Sequence, residues 1–310
     1  MIAQIYNKEA PFAHTYSIVA YDSITGEMGV AVQSHWFSVG TIVSWAEAGV
    51  GAIATQSFVN PDFGPDGLAL LKQGFAPQEV LDTLIAADEG RGVRQLAIVD
   101  KNGKVAVYTG ANCIPAAGHI KGDGYTVQAN MMLNNTVWSA MSKAFENSTG
   151  SLEERLLTAL EAAEAAGGDI RGKQSASLLV VRPEATGKLW IDRKTDLRVD
   201  DHVEPLVELR RLYNVKMAYD YMNDGDVAME KDEMGKALEL YHKAFELQPD
   251  NVEMKFWTAV TYANAGEIDK SLPLFKEVFL KNKNWKELLT RINGTDLLPI
   301  SKENFQKIIK

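Results

Sequence analysis

Apolar and polar residues alternate with a period of two along the first part of the chain, as in TYSIVAY at 15–21 and MGVAVQS at 28–34. Alternation of this kind places every second side chain on the same face of an extended strand. A turn that contains Gly26 separates the two segments, so they predict an antiparallel hairpin. Two more segments, 39–46 and 50–56, follow the same pattern. The sequence therefore predicts a sheet of four antiparallel strands near its beginning.

Helical spacing follows this sheet. Apolar residues recur every three or four positions at 64–73 and 77–87, and Pro77 suits the first turn of a helix. We expect these two helices to cover the first sheet. A second group of strands begins at 94–99 and 104–109, on either side of an Asn-Gly turn. The predicted elements that complete the pattern are strands at 115–119 and 124–130, helices at 134–146 and 151–166, and a hairpin at 175–182 and 187–192.

The order sheet, helix pair, sheet, helix pair indicates the fold class. Each antiparallel sheet needs both faces covered, and two stacked sheets with the helices outside satisfy that need. We therefore predict an α+β domain built as a four-layer α-β-β-α sandwich. A chain of 310 residues with 46% apolar content is long enough for this domain and a second one.

From about residue 205 onward, every segment has helical spacing, and the sequence repeats with a period of 34 residues. The segments GKALELYHKAFELQPD and AGEIDKSLPLFKEVFLKN resemble tetratricopeptide repeats. Such stacks need about three units, so we expect a helix at 284–292 to cap one end. The first domain or a second copy of the chain would cover the other end. The matching positions are Ala237 and Ser271, Leu238 and Leu272, and Tyr241 and Phe275, with Pro249 ending the first unit.

Six sequence blocks occur in order between His14 and about Arg182. They are TYSIVAYD at 15–22, GVAVQSHWFSVG at 29–40, AGVGAIATQSFVNPDFGPDGL at 48–68, ADEGRGVRQ at 87–95, VQANMM at 127–132 and GGDIRGKQSASLLV at 167–180. In these blocks the chain closely resembles domain-of-unknown-function family 1028, which is placed in the N-terminal-nucleophile (Ntn) hydrolase superfamily. The resemblance implies an Ntn-like α-β-β-α sandwich with an amide-hydrolase site, and it brings no substrate with it.

Three regions follow from the pattern and the resemblance together. They are an N-terminal extension or propeptide at 1–14, an Ntn-hydrolase-like domain at 15–200, and an all-α tetratricopeptide-like domain at 201–310.

The charge of the chain disfavours some classes of partner. With 41 acidic and 32 basic residues, the net charge is −9 and the pI is about 5.2. A nucleic-acid backbone or an anionic membrane surface repels such a chain, so we predict neither as a partner. A small-molecule or peptide-like substrate fits better. The five histidines lack metal-ligand spacing and Cys113 is the only cysteine, so we predict no metal site and no disulfide. We also predict no cofactor.

No apolar run in the sequence is long enough to span a bilayer. Residues 1–14 lack the basic start and the apolar stretch of a secretory signal, so the chain as written is expected to be soluble and cytoplasmic. The segment Ile2-Ala3-Gln4 is also compatible with the residues that follow a signal-cleavage site. On that alternative the protein is periplasmic or secreted.

Thr15 opens the first predicted strand, where the nucleophile of an Ntn hydrolase would lie. Cleavage between His14 and Thr15 would place a new α-amino group beside the hydroxyl. The pKa of such an amine, roughly 7.7 to 8.0, lets it act as the general base. The alternative is that Thr15 is an ordinary β-branched strand residue. Ser17, on the same strand face, is a weaker candidate that supports or replaces Thr15.

Four more residues are candidates near the nucleophile. Ser34 and His35 end the second strand, beside the expected start of the first, so both are expected within reach of Thr15. We assign Ser34 to catalysis and His35 to substrate contact or to structure. Asn60 and Asn130 carry amides that can donate to an oxyanion. Asn60 can instead hold the turn that follows it.

Charged residues in two glycine-containing loops are candidate substrate contacts. Asp88, Arg91 and Arg94 are candidates in the first loop, where the two arginines lie three positions apart beside the acid, an arrangement that suits the binding of a substrate carboxylate. The alternative is an internal ion pair between Asp88 and an arginine. Lys173 lies in the loop GGDIRGKQS, which can bind an anion or serve only as a turn. Proteasome-like members of the superfamily keep a lysine near the nucleophile, whereas the corresponding region here has Glu47, so Lys173 is the candidate to tune Thr15.

Two functions stay open. The first is a Thr-nucleophile amidohydrolase. The second is a non-catalytic ligand- or protein-binding module that keeps the fold without the processing. In either case the helical repeats are a candidate surface for a protein partner, and we expect a homo-oligomer.

Overall fold

The computed structural model describes residues 12, 13 and 15–310. Within them the strands form two antiparallel sheets, one of six strands and one of five. The predicted α+β class with two antiparallel sheets is confirmed, and apart from Phe12 and Ala13 the predicted extension lies outside the described residues. The strands are β1 (Phe12–Ala13), β2 (Thr15–Tyr21), β3 (Met28–Ser34), β4 (Ser44–Glu47), β5 (Gly51–Phe58), β6 (Arg94–Asp100), β7 (Val105–Thr109), β8 (Gly118–Lys121), β9 (Tyr125–Ala129), β10 (Ser175–Val181) and β11 (Arg193–Val199).

The six-stranded sheet has the order β11-β10-β3-β2-β9-β8, which places β2 and β3 at its centre. These two strands form the predicted hairpin, with Thr15 opposite Ser34 and Tyr21 opposite Met28. Both strands are buried along almost their whole length, because each face of the sheet is covered.

In the five-stranded sheet, β5 lies between β6 on one side and two short strands on the other. β4 pairs with the first half of β5, and β1 pairs with its end, where Ala13 lies opposite Ser57. Ala13 therefore belongs to one sheet and Thr15 to the other. The predicted cleavage position lies between these two strands.

Helices lie on the outer faces of the two sheets, and the inner faces share one core. Val30 from the six-stranded sheet (the first sheet) and Ala54 from the five-stranded sheet (the second sheet) are buried in that core. Ile53 and Leu84 belong to another core, which joins the second sheet to α1 and α2. Burial of each such aliphatic side chain contributes about 1.5–3 kcal/mol. The helices are α1 (Phe63–Lys72) and α2 (Pro77–Ala87), which pack against β4–β7, α3 (Val137–Asn147) and α4 (Leu152–Ala165), which pack against the first sheet, and the short α5 (Leu189–Asp192).

The strands do not sort into sheets by their order in the chain, so the prediction of one sheet from the first four strands is wrong. β2 and β3 join β8–β11, whereas β4 and β5 join β6 and β7. Period two fixes which face a residue occupies, and it does not fix which strand lies alongside. The predicted strand at 39–46 also starts late, because a 3-10 turn at Val39–Thr41 precedes β4.

The second strand of the closing hairpin was predicted at 187–192, and this is wrong. Those residues include α5, and the strand that pairs with β10 is β11. β11 lies at a sheet edge and only Thr195 and Val199 in it are buried. Charged residues occupy most of its other positions, which protects an edge against pairing with another chain and weakens the apolar alternation.

The chain divides into two compact units, one ending at Arg210 and one beginning at Arg211. The all-helical C-terminal region is confirmed. Its helices pack in sequence, α7 against α8, α8 against α9, and α9 against both α10 and α11. The bounds are α6 (Pro205–Glu230), which crosses the division, α7 (Met234–Leu247), α8 (Val252–Asn264), α9 (Ile268–Lys281), α10 (Asn284–Ile292) and α11 (Lys302–Ile309).

The 34-residue period reappears in the helix boundaries. α7, α9 and α11 begin at Met234, Ile268 and Lys302, each 34 residues after the one before. Tyr241 and Phe275, which the sequence pattern matched, are both buried. α11 is thus a third, shorter helix that continues the 34-residue spacing of α7 and α9. α10, which the sequence analysis predicted as the cap, precedes α11.

A candidate nucleophile site at the start of β2

Thr15 is the first residue of β2, and its side chain is fully buried. It lies on the strand face that carries Val19, a residue of the core between the sheets. Among residues 12–13 and 15–310, Thr15 Oγ1 has no hydrogen-bond partner. A buried polar atom without a partner costs about 1–3 kcal/mol, so this hydroxyl calls for an explanation beyond strand structure.

The carbonyl oxygen of Thr15 is held by amide donors from both sheets. The backbone N–H of Asn130 donates to it at 3.1 Å and the Asn130 Nδ2 at 3.4 Å. Gln56 Nε2, from β5, also donates at 3.4 Å. The peptide group that follows the Thr15 hydroxyl therefore has a fixed position.

Buried amide side chains form a network beside this carbonyl. Gln95 Oε1 accepts from Gln56 Nε2 at 2.6 Å and from Asn130 Nδ2 at 2.9 Å. The Ser17 hydroxyl donates to Gln56 Oε1 at 2.6 Å and accepts from Gln128 Nε2 at 2.6 Å. A buried network whose groups are paired in this way is rigid. It fixes Asn130, the amide that the sequence proposed as an oxyanion donor.

The network continues to the edge of the first sheet. Gln95 Nε2 donates to Thr109 Oγ1 at 2.8 Å, and that oxygen lies 2.8 Å from His119 Nδ1. Burial lowers the pKa of His119. The neutral ring can accept a hydrogen bond from the Thr109 hydroxyl, whose oxygen then accepts the hydrogen bond from Gln95.

The opposite face of β2 carries Tyr16, whose hydroxyl donates to Glu164 Oε2 at 2.7 Å. Burial raises the pKa of Tyr16 well above its ordinary value, and the charge of Glu164 adds to the effect. Tyr16 therefore stays protonated and anchors β2 to the segment that ends α4.

His35 follows Ser34 at the end of β3, and the loop before β10 holds its backbone. The His35 N–H donates to Asp169 Oδ2 at 3.3 Å. Arg171 donates to both oxygens of the buried Asp169, at 2.7 Å and 3.0 Å, so the buried charge is paired. In the sheet register Ser34 lies directly opposite Thr15, and His35 is the next residue after Ser34.

Lys173 lies in the same loop and is engaged by carboxylates. Its Nζ donates to Glu204 at 2.6 Å and lies 3.7 Å from Glu164. The hydrogen bond with Glu204 is the main cause of a raised pKa of Lys173, which the charge of Glu164 raises further. Lys173 is therefore a charged ion-pair member in this state of the chain.

Asp88 and Arg94 form an internal ion pair, the alternative that the sequence left open. Arg94 Nε donates to Asp88 Oδ2 at 2.6 Å and Arg94 Nη1 to the carbonyl of Phe58 at 2.5 Å. Arg91 donates to the backbone carbonyl of Asp88 at 3.4 Å. The cluster joins the end of α2 to β5 and β6.

Asn60 holds the turn before α1. Its Oδ1 accepts from the N–H of Asp62 at 3.2 Å, and its carbonyl accepts from Thr55 Oγ1 at 3.0 Å. This is the turn role that the sequence left open beside the oxyanion role.

Glu47, in the region that the sequence analysis compared with the lysine of proteasome-like proteins, is the last residue of β4. It lies opposite Gly51, six positions along β5 from Ser57, which is roughly 20 Å in an extended strand. It pairs there with Lys72.

Two residues beside the site adopt positive φ without being glycine. Ser57, opposite Ala13, has φ 74°, and Met131, next to Asn130, has φ 60°. Such conformations cost of order 1–3 kcal/mol and cluster at functional sites. Their positions indicate that the backbone around Thr15 adopts its conformation at some cost in the free energy of folding.

The structure thus brings together Thr15, Ser34 and Asn130, while Asn60 and the Asp88 cluster have contacts of their own. The sequence analysis missed the glutamines at 56, 95 and 128. A signal was present, because each is an amide residue at an inner position of an otherwise apolar strand.

Three other features of the described ranges bear on function, namely metal-ligand groups, the cysteine thiol and the length of apolar helices. No group of three or more His, Cys, Asp or Glu side chains there is placed to hold a metal ion. Cys113 is buried and free, and burial raises the pKa of its thiol, which disfavours reactivity. No helix among these residues is both long and apolar enough to cross a membrane.

Two antiparallel sheets that share one core, with a network of buried amides at a central strand end, define the class of this protein as a mixed α+β domain followed by a helical unit. Residues 15–209 match the family described as "Family of unknown function (DUF1028)". Because the match covers more than half of the chain, the protein belongs to the DUF1028 family.

A solved structure of the same family is similar to this chain. It is the crystal structure of protein SPO2555 from Silicibacter pomeroyi, with 33% sequence identity and a TM-score of 0.59. The similarity covers 64% of this chain and 84% of that one. No protein with curated annotation matches the chain.

Proposed function

We propose that the first unit is an Ntn-type amidohydrolase in which Thr15 is the nucleophile. The observation that carries the proposal is the buried Thr15 hydroxyl, which has no partner among the described residues, at the first position of a central strand. The stacked sheets with outer helices support it, since this is the layering that the family resemblance implies.

Activation requires a cut before Thr15. The Thr15 oxygen attacks the carbonyl carbon of the preceding peptide bond, and an ester forms as the C–N bond breaks. The hydroxyl proton moves to the nitrogen, which becomes a free amine. Water then hydrolyses the ester, which gives a new carboxylate and restores the hydroxyl. The released amine is the general base of the mature site.

In the mature site the same oxygen attacks a substrate amide. The Asn130 amide, fixed by Gln95, is the proposed oxyanion donor, and Ser34 lies opposite Thr15 in the register. His35 and Lys173 are proposed to contact a small-molecule or peptide-like substrate. Asn60, Arg91 and Arg94 are weaker candidates because their observed contacts are structural.

Intact mass and N-terminal sequencing of the purified protein test the proposal. We expect loss of residues 1–14 and Thr15 as the new first residue. Thr15→Ser should still be cut and Thr15→Ala should stay uncut. Thr25→Ala, which removes an exposed threonine hydroxyl in the turn between β2 and β3, should be cut like the wild type. A wild-type chain that stays whole at every pH and incubation time would contradict the proposal.

A binding module is the second candidate, and the pairing of the nearby cations favours it. Lys173 and Arg94 both have acidic partners, so neither is placed as a free cation to activate Thr15. If the first unit is a binding module, the chain stays uncut, and an electrophile that labels N-terminal threonine leaves the mass of the protein unchanged.

We also propose that the helical unit is tetratricopeptide-like and provides the surface for a protein partner or a homo-oligomer. The 34-residue spacing of the starts of α7, α9 and α11 supports this.

A further inference from the structure

The helical unit has a cleft between α9, α10 and α11 that differs in charge from the rest of the chain. The cleft encloses about 620 Å³. Its apolar lining includes Leu272, Phe279 and Ile308. Five lysines and no acidic residue complete the lining, namely Lys276, Lys283, Lys286, Lys307 and Lys310.

Most of these lysines form no ion pair among the described residues, and the acids next to Lys276 and Lys286 in the sequence, Glu277 and Glu287, pair with Lys255 and Arg291 instead. Within the described part of the chain, only Lys307 among the five has an ion pair, with Glu303 at 3.1 Å. Elsewhere on the same unit, lysines pair with carboxylates nearby. Those pairs are Lys216 with Asp220, Lys236 with Glu233, Lys243 with Glu239, Lys255 with Glu277 and Lys270 with Glu267. The cleft is therefore a local concentration of positive charge on a chain of net charge −9.

Two of the lysines occupy unfavourable positions for helix stability. Lys283 is the N-cap residue of α10 and Lys286 lies in its first turn. The helix dipole makes this end positive, so cations here are disfavoured. Like charges three positions apart also repel each other. A bound anion would relieve both effects.

The apolar part of the cleft is open to solvent. Leu280, which lines it, is 79% exposed. Apolar surface rimmed by charged groups is typical of a binding site. A ligand for this cleft must offer both apolar contact and negative charge.

We propose that this cleft binds an acidic segment of a partner protein, with bulky apolar side chains on the floor and Asp or Glu side chains against the lysines. The lysines come from three helices, so their charges are spread around the floor. A single headgroup would engage one or two of them, whereas several carboxylates along a peptide match the spread. The proposal does not depend on the hydrolase proposal, because it concerns the helical unit alone.

Fluorescence anisotropy with the full chain tests the proposal. The probe is a labelled short peptide that alternates Asp or Glu with Leu or Phe. We expect saturable binding in about 50 mM salt that weakens in about 300 mM salt. Peptides in which Gln replaces the acids, or Ser replaces the apolar residues, should not bind.

Matched variants locate the binding. We expect Lys276→Gln, Lys283→Gln and Lys286→Gln together to weaken binding by about 10-fold. Lys281→Gln with Lys302→Gln removes exposed lysines outside the cleft lining and should change affinity by less than about 2-fold. Leu280→Ser should weaken binding, whereas Leu297→Ser, also exposed but outside the cleft, should not.

Three results would overturn the proposal. One is the absence of peptide binding, or equal loss in the cleft and control variants. Another is displacement of the peptide by a long-chain fatty acid that itself binds through the cleft lysines, which would assign the cleft to an amphiphile. The third is sedimentation showing that the chain dimerises and that the triple lysine variant is monomeric, which would make a second copy the occupant.

Discussion

Gln95 is the residue on which most of the buried amide network depends. Its oxygen accepts from Gln56 and Asn130, and its nitrogen donates to Thr109 Oγ1 at 2.8 Å and to the carbonyl of Ala129 at 3.0 Å. Each end of the amide thus meets groups of the opposite kind, which fixes its orientation. One side chain sets the positions of residues from both sheets.

We predict that Gln95→Leu lowers the free energy of unfolding by about 3 kcal/mol. The substitution removes the acceptor of the shortest hydrogen bonds from the buried Gln56 and Asn130 amides, and it removes the donor to Thr109 and Ala129. Loss of several buried hydrogen bonds is costly. Urea denaturation followed by circular dichroism measures the change. Gln78→Leu is the control, because Gln78 is exposed and its amide donates to the exposed Asp82. A loss below about 0.5 kcal/mol for Gln95→Leu, the range of a surface change, would contradict the prediction.

Tyr125 gives a pH-dependent prediction. Burial, together with its hydrogen bond to Glu146, raises the pKa of Tyr125 from 10.0 to about 12. The folded state therefore holds the proton more tightly, so the stabilisation is complete below pH 10 and falls as the pH rises from 10 towards 12. Tyr125→Phe lacks this dependence. Between about pH 8 and about pH 11, we expect the wild type to lose about 1 kcal/mol more than Tyr125→Phe.

Urea denaturation of both proteins at each pH gives the comparison. The difference between them should stay constant from about pH 6 to about pH 8, which serves as the internal control. A difference that stays constant up to about pH 11 would show that Tyr125 titrates normally.

At the scale of elements, two glycines in neighbouring helices of the second unit have opposite environments. A Cβ on Gly225, in α6, would lie 2.6 Å from the ring of Tyr241, in α7. That ring is buried and its hydroxyl bonds Asp226, so it has little freedom to move. A Cβ on Gly235, in α7, meets no atom within 4 Å. Helix propensity alone would favour alanine at both positions.

We predict that Gly225→Ala lowers the stability of the helical unit by about 1–3 kcal/mol through overpacking. Gly235→Ala should raise it by up to about 1 kcal/mol through helix propensity. Thermal unfolding followed by circular dichroism compares the pair with the wild type. If both variants shift the midpoint in the same direction, the packing of Gly225 against Tyr241 is wrong.

The sequence predicted best those elements whose pattern is local. β2 and β3 were predicted with their observed ends because both faces are buried and a glycine turn joins them. β11 was missed because an edge strand carries charge where a central strand carries apolar residues. The site followed the same rule. Ser34 was predictable from the hairpin, whereas Gln95 and Gln128 enter it through pairings between strands far apart in the chain.

At the scale of the whole molecule, the sequence determines the net charge, whereas the positions of the charged side chains depend on the fold. A net charge of −9 argues against anionic partners, yet the cleft lined by Lys276 and Lys283 concentrates positive charge. The lysines of the cleft come from α9, from α10 and its N-cap, and from the end of α11. The number of charged residues does not show this arrangement. The argument from net charge against nucleic acid and anionic membranes therefore applies to the surface as an average.

The crossing from β1 to β2 has a consequence for the proposed cut. Among the residues that the structure describes, β1 pairs with β5 through Phe12 and Ala13, opposite Phe58 and Ser57. A pairing of that length is weak once the covalent link to β2 is gone. The departure of β1 would free backbone groups at that end of β5. An extended peptide can add to such an edge as a new strand. If the proposed cut occurs, the released segment and an extended substrate would compete for one edge, so the released segment would be the first inhibitor of the proposed hydrolase.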